Sequence, residues 1–239
     1  MSIAILIAAS FSLGFFVESI IGFGGGLIAY SILGFFMDLK EMILAGLYIG
    51  TCASSYIFYT DRKSFDKKIF KSLVPLCVIG TMVGAFLFAK LSSEILSLIF
   101  GIILIALAIK IMFFDKFTFP KILKKKLILI GGISHGAFGI GGPFWVNALK
   151  DDFKNKSSLR TTLAVCFVAF NLIRIPQLSL QGQIKLDFFA AIWWVMIPIF
   201  LAIKLGHLVH LKISEEIFKK GIALMTIFAG LKFVTKIFS

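Results

Sequence analysis

The amino-acid sequence predicts an all-α protein that crosses a membrane several times, and its composition gives the first reason. Of the 239 residues, 59% are hydrophobic and only 15% are charged, a larger apolar share than the surface of a soluble protein tolerates. The same figures exclude intrinsic disorder, because a disordered chain needs low hydrophobicity and this one contains 28 phenylalanines. Most of the chain is therefore expected to lie in lipid.

Long apolar segments are the second reason for this fold class. A helix rises by about 1.5 Å per residue and must cover roughly 30 Å of hydrocarbon to span a bilayer. Six uninterrupted apolar segments come close to that length, and each is predicted to cross the membrane. They run over residues 42–59, 72–89, 95–114, 159–178, 188–205 and 217–234.

Two further apolar stretches are interrupted by glycine. Residues 2–37 contain Gly-Phe-Gly-Gly-Gly at 22–26, and residues 127–149 contain Gly-Ile-Gly-Gly-Pro at 139–143. Each glycine weakens a helix by about 1 kcal/mol, so we expect the helix to stop and restart at both runs. Residues 2–21 are also long enough to cross alone, which leaves the side of the N-terminus open.

The interrupted stretches belong to an internal duplication. A shift of 117 residues carries Ser54 onto Asn171 and the glycines of the first run onto those of the second. The matched glycines are Gly22 with Gly139, Gly24 with Gly141, and Gly25 with Gly142. We therefore divide the chain into a first membrane repeat at 1–114, a basic cytoplasmic linker at 115–126 and a second membrane repeat at 127–239.

The basic residues predict the orientation of the repeats. The net charge of +13 lies in short blocks of Lys and Arg between apolar runs, a pattern typical of cytoplasmic loops rather than of a nucleic-acid-binding surface. If each interrupted stretch enters the membrane and returns, 18 basic residues lie inside and 6 outside; if both cross fully, the division is 14 to 10. The positive-inside rule favours the first arrangement. The inside loops are then 61–71, 115–126, 150–160 and 204–220.

This arrangement gives each half an odd number of crossings, so the second half enters the membrane upside down relative to the first. The predicted fold is a polytopic membrane protein of two inverted-topology repeats. Each repeat consists of a glycine-broken, re-entrant helix pair and three transmembrane helices, which makes about eight membrane segments in all.

The glycine breaks are the first candidate binding site. At membrane depth a break leaves backbone N–H groups without helical partners, and the half-helices that follow Gly26 and begin at Pro143 present such groups with a positive dipole end, which suits an anion. The alternative is that the glycines allow close helix packing, as we expect for the pairs 46/50 and 80/84. The candidate substrate-binding glycines are Gly22, Gly24, Gly25, Gly26, Gly139, Gly141 and Gly142.

The block at 22–26, its second copy within Ser-His-Gly-Ala-Phe-Gly-Ile-Gly-Gly-Pro at 134–143 and the spacing of the apolar segments resemble the TauE/SafE sulfite exporter family of bacterial membrane proteins. The resemblance covers nearly the whole chain. It implies a secondary transporter of two similar halves, with cargoes such as sulfite, sulfonates and related sulfur anions. One departure is that Gly26 leads into Leu-Ile-Ala-Tyr-Ser-Ile-Leu, where the family often has a proline-containing stretch.

Two ionisable residues precede the breaks at matching positions, because the shift of 117 also carries Glu18 onto His135. Ionisable side chains inside a membrane are costly and usually pair or line a pathway. We expect the two to face one cavity and to share or relay a proton. The alternative is a structural hydrogen-bonded pair, or a Glu18 that lies near the membrane interface.

Three further polar positions are candidates for contact with the cargo. Arg174 could bind an oxyanion with its planar guanidinium, or it could be an interfacial arginine that snorkels to water. Ser54, with its neighbours Thr51 and Ser55, and Asn171 in the second half could donate hydrogen bonds to the cargo or join helices to each other.

The remaining motifs argue against other functions. Neither a nucleotide-binding loop nor a metalloprotease or serine-hydrolase motif is present, so we expect no enzyme and no cofactor. His207 and His210 have a spacing that suits a metal, but no third ligand is near, and a solvated pair is expected. The predicted function is a secondary transporter of a small anion in the bacterial inner membrane, with an anion-selective channel or an intramembrane enzyme as the alternative.

Overall fold

The computed structural model describes residues 3–21, 23–113, 120–184, 186–208 and 215–236. These residues form α-helices joined by short turns, and no strand occurs among them. The helices are α1 (Ile3–Ile21), α2 (Gly25–Leu33), α3 (Leu39–Thr60), α4 (Lys67–Lys90), α5 (Ser93–Phe113), α6 (Lys124–Phe138), α7 (Gly142–Leu149), α8 (Lys156–Leu180), α9 (Leu186–Ile192), α10 (Met196–Leu208) and α11 (Glu215–Thr235).

Six spans in the described residues are long and apolar enough to cross a membrane, which confirms the all-α, multi-pass class. They are Ile3–Ile20, Leu39–Thr60, Lys67–Lys90, Ser93–Phe113, Lys156–Leu180 and Leu186–Leu208. Five of these coincide with predicted crossings. The sixth is α1, which was predicted as part of an interrupted stretch but is also long enough to cross alone. The apolar helix Ala223–Thr235 within α11 is shorter.

Glycines allow α4 and α6 to pack closely. A Cβ added at Gly80 would lie 2.8 Å from the backbone nitrogen of Ile133, and one at Gly136 would lie 2.8 Å from Cα of Thr81. Only glycine permits this approach of two backbones, which is the usual role of glycines spaced four residues apart in membrane helices. The expectation that Gly80 and Gly84 serve helix packing is therefore confirmed.

Polar contacts join the four basic loops at one end of the bundle, which we call the basic end. Arg160 Nη2 donates to Asp61 Oδ2 at 3.1 Å, and Arg160 Nη1 lies 3.2 Å from Nδ1 of His207. Lys124 forms an ion pair with Asp152. These contacts connect loops 61–71, 115–126, 150–160 and 204–220. His210, which the sequence analysis paired with His207, lies outside the described residues.

A second set of contacts closes the other end of the bundle, which we call the opposite end. Asp38 caps α3 by accepting from the Lys40 N–H at 2.9 Å, and Lys236 Nζ lies 3.1 Å from its other oxygen. Partial burial alone would raise the pKa of Asp38, but these two hydrogen bonds hold it below its ordinary value. Lys232 Nζ donates to the backbone oxygen of Gly34. The start of α3 and the end of α11 are thus fixed to each other.

Candidate functional site

A cavity lies where the two helix breaks meet. It contains about 590 Å³ of space not filled by protein atoms, including the part that opens outward. Its walls come from α1, α2, α3, α6, α7 and α8, which belong to both halves of the chain. The predicted site residues that line it are Glu18, Gly24, Gly26, Ser54, His135, Gly139, Gly142, Asn171 and Arg174.

Two glycines make the breaks possible because their backbone is left-handed. Gly24 has φ 98° and precedes α2, and Gly139 has φ 75° and ends α6 by donating its N–H to the oxygen of His135 at 2.8 Å. Residues with a Cβ rarely adopt this conformation. Gly22, the first glycine of the run, lies outside the described residues.

Glu18 occupies a backbone donor of α2 that was predicted to be free. The N–H of Gly25 donates to Glu18 Oε2 at 2.7 Å. A Cβ at Gly25 would also lie 3.0 Å from the carbonyl oxygen of Gly14, so this glycine serves the close contact of α1 with α2. Gly25 does not line the cavity, and its predicted role as a substrate donor is wrong because the protein's own carboxylate already caps the helix.

The second break offers fewer donors than predicted. Helix α7 begins at Gly142, one residue before Pro143, which has no N–H. The N–H groups of Phe144 and Trp145 both donate to the oxygen of Gly141, at 3.1 and 3.2 Å. A Cβ at Gly141 would lie 2.6 Å from the Trp145 ring, so Gly141 is a packing glycine rather than part of the cavity wall. Pro143 lacks an N–H and the Phe144 N–H is already bonded, so Gly142 carries the remaining backbone donor among the first three residues of α7.

Arg174 is fully buried and lines the cavity. Its exposed fraction is 0%, which contradicts the alternative of an arginine that snorkels to the interface. Nη2 donates to the oxygen of Ala137 at 3.2 Å, but Nε and Nη1 have no hydrogen-bond partner. In the part of the chain that the structure describes, no carboxylate lies within ion-pair distance of it. A buried charge without a counter-ion is costly, so the cavity is suited to receive an anion.

Tyr30 is a cavity residue that the sequence analysis did not identify. Its ring packs edge-on against Phe11 and Phe100, and it lines the same wall as Arg174. A Cβ at Gly139 would lie 3.2 Å from Tyr30 Oη and 3.4 Å from Arg174 Nη1, so hydroxyl and guanidinium converge on one point beside the second break. No motif marks this tyrosine, because its partner Arg174 is far away in the sequence.

The pair Gly46 and Gly50 proves to belong to the cavity. A Cβ at Gly46 would lie 2.7 Å from Cζ of Tyr30, so this glycine makes room for the tyrosine ring. A Cβ at Gly50 would meet nothing within 4 Å. Both residues line the cavity, so the expectation that they pack one helix against another is wrong for Gly50, whereas Gly46 admits a side chain of α2.

Glu18 and His135 lie on the same cavity wall without a hydrogen bond between them. The His135 ring is 1% exposed and packs among Trp145, Phe167 and Phe170, with ring centroids 5.4 to 6.2 Å away. Within the described residues neither ring nitrogen has a hydrogen-bond partner. The two groups therefore face the cavity separately rather than as a contacting pair.

The polar side chains of α3 and α8 divide between two roles. Asn171 Nδ2 donates to Thr51 Oγ1 at 2.9 Å, which joins the two halves and leaves Asn171 Oδ1 without a partner. Ser54 lines the cavity and is 2% exposed. Ser55 is exposed on the outside of the bundle and donates to the oxygen of Thr51, so its predicted place with Ser54 is wrong.

A family model described as "Sulfite exporter TauE/SafE" matches residues 6–233 of the chain. The match includes both helix breaks and every residue that lines the cavity. No curated protein and no solved structure matches the chain significantly.

Proposed function

The chain belongs to the TauE/SafE sulfite exporter family, and we propose that it is a secondary transporter that exports small sulfur-containing oxyanions or organosulfonates such as sulfite. The buried, unpaired Arg174 in the cavity is the observation that carries this proposal. A guanidinium presents its donors in a planar fork that fits an oxyanion, and charge-assisted hydrogen bonds of this kind are the strong ones. Tyr30 Oη and the Gly142 N–H are further donors in reach of the same space.

The packing of the helices supports the proposal that the halves are inverted repeats, each a glycine-broken pair with three transmembrane helices. Helix α4 packs on α6, and α10, the counterpart of α4, packs on α1, the counterpart of α6. Helices α3 and α8 pack on each other, as do α5 and α11. Such packing of helices from one repeat on helices from the other is expected where two repeats rock about a common site. We place the basic end in the cytoplasm of a bacterial inner membrane.

Proton coupling is a further part of the proposal. Glu18 and His135 are ionisable groups on the cavity wall, and such groups in membrane proteins commonly belong to proton pathways. Glu18→Gln keeps the size and the acceptor for the Gly25 N–H, so it should preserve anion binding while flux loses its dependence on a pH gradient. Unchanged gradient-driven accumulation in both Glu18→Gln and His135→Gln would show that neither residue couples transport to protons.

The function is tested by anion flux in proteoliposomes. Purified protein is reconstituted, and uptake of sulfite, thiosulfate, small sulfonates and carboxylates is compared with and without an imposed pH gradient. A transporter should show counterflow, in which trapped unlabelled substrate drives uptake of labelled substrate. Conductance without counterflow would instead identify an anion-selective channel, and no anion flux at all would refute the proposal.

A further inference from the structure

We propose that Phe88 is the gate between the cavity and the opposite end of the bundle, and that Lys40 is a second anion-binding position beyond this gate. The inference rests on the proposed function, in which Arg174 binds the anion inside the cavity. It adds a route by which the anion passes from Arg174 to the membrane surface.

Contacts of the Phe88 ring carry the proposal. The ring is 0% exposed and does not belong to the cavity wall. The Arg174 guanidinium carbon lies 5.9 Å from the ring centroid, and Lys40 Nζ lies 5.6 Å from it. One buried aromatic ring thus contacts the cation of the cavity and a cation at the opposite end, both of which its π-electrons attract.

Position along the helices places these three residues in order. Arg174 lies 18 residues after Lys156, or about 27 Å from the start of α8 at the basic end. Phe88 lies 21 residues after Lys67, or about 32 Å along α4. Lys40 is the second residue of α3, which begins at the opposite end, and its side chain is partly exposed. The order from cavity to surface is therefore Arg174, Phe88 and Lys40.

The chemistry of the three side chains fits the passage of an anion. An apolar ring across a narrow path excludes water and ions until it moves, which is how hydrophobic constrictions close a pore. Arg174 offers a weakly hydrated, planar cation suited to a desolvated oxyanion, whereas the Lys40 ammonium is compact and strongly hydrated. Of the two carboxylates next to Lys40 in the chain, Asp38 is already paired with Lys236 and so is partly neutralised, and Glu41 is exposed to solvent. Lys40 can therefore receive the anion as it regains water.

Thiol labelling from the opposite end tests the gate. Ser54→Cys places a thiol in the cavity wall, and Cys52→Ser removes the half-buried native thiol while Cys77 and Cys166 stay buried. Right-side-out membrane vesicles are treated with an anionic and with a cationic methanethiosulfonate reagent.

Phe88→Ala should raise the labelling rate for both reagents by about tenfold or more, because the constriction is lost. Phe88→Leu, which keeps an apolar side chain of similar bulk, should stay near the parent rate and shows that the site tolerates substitution. Equal labelling in the parent and Phe88→Ala proteins, with both folded as judged by gel filtration, would overturn the gate.

The role of Lys40 is tested in the Phe88→Ala background. Lys40→Gln should slow the anionic reagent by about fivefold and leave the cationic reagent unslowed, since one nearby charge is removed. Lys90→Gln is the matched control, because Lys90 is exposed on the last turn of α4 at the same end. If both lysine variants slow the anionic reagent equally, Lys40 is not an anion-binding position. Sulfite flux measured in matching vesicles that hold the wild-type protein separates this failure from that of the proposed function, which requires flux there.

Discussion

Two alanine substitutions on α3 should have opposite effects on stability, although the residues are one turn apart. A Cβ at Gly50 meets nothing within 4 Å, whereas a Cβ at Gly46 would lie 2.7 and 2.8 Å from ring carbons of Tyr30. Both residues line the cavity. The added methyl group of Gly50→Ala should therefore occupy cavity space, and that of Gly46→Ala should push the Tyr30 ring away from Arg174.

The size of each effect follows from helix propensity and packing. Alanine in place of glycine stabilises a helix interior by about 0.5–1 kcal/mol, and Gly50→Ala should keep that gain. At Gly46 the overlap with Tyr30 adds an overpacking cost of about 1–3 kcal/mol, which exceeds the gain. We expect Gly50→Ala to be at least as stable as the wild-type protein and Gly46→Ala to be less stable.

Thermal unfolding in detergent and sulfite uptake in proteoliposomes measure the two effects. Uptake should fall in both variants, because one narrows the cavity and the other displaces a donor. The unfolding midpoint should fall only in Gly46→Ala. A Gly50→Ala protein that unfolds at as low a temperature as Gly46→Ala would show that Gly50 packs against a helix, and would refute the placement of the cavity wall.

Three further predictions concern topology and packing. Cysteines introduced at Ser64 and Ser157 should both resist a membrane-impermeant thiol reagent in intact cells, because contacts join their loops at the basic end, which we place in the cytoplasm; labelling of either would contradict this. Gly84→Leu should prevent accumulation of folded protein, since a Cβ there already lies 2.7 Å from the Ala137 nitrogen; normal yield on gel filtration would be inconsistent with this packing. Asp61→Asn should lower the free energy of unfolding by about 1–3 kcal/mol, and with it the unfolding midpoint, because the Arg160 guanidinium loses its carboxylate partner. An unchanged midpoint would show that the pair is dispensable.

The sequence was sufficient to predict the membrane class because length and apolar content alone decide which helices can span a bilayer. It also identified nine of the nineteen residues that line the cavity, partly because glycine runs at matching positions mark where a helix must end. Glu18 and His135 were found through the same shift of 117 residues. These features are local or periodic, so a single amino-acid sequence is enough to reveal them.

Features that depend on distant contacts were missed or misread. Gly25 and Gly26 are adjacent glycines that the sequence alone does not distinguish, but Gly25 lies against Glu18 and Gly14 whereas Gly26 faces the cavity. Gly46 and Gly50 have the spacing of a helix-packing pair, but Gly46 makes room for the Tyr30 ring and a Cβ at Gly50 would meet nothing within 4 Å. Which face of a helix meets a cavity rather than another helix is set by tertiary packing, which the spacing of glycines does not encode.

The central claim is that Arg174 is held in the cavity for an anionic cargo, and Arg174→Gln tests it most directly. Because the described residues give Arg174 no carboxylate partner, its removal leaves no uncompensated charge and should not lower stability. The measurement is the unfolding midpoint with and without sulfite, together with sulfite uptake in proteoliposomes. We predict that Arg174→Gln unfolds at or above the wild-type temperature, gains no stability from sulfite and takes up none. Wild-type uptake and wild-type stabilisation by sulfite in this variant would contradict the account.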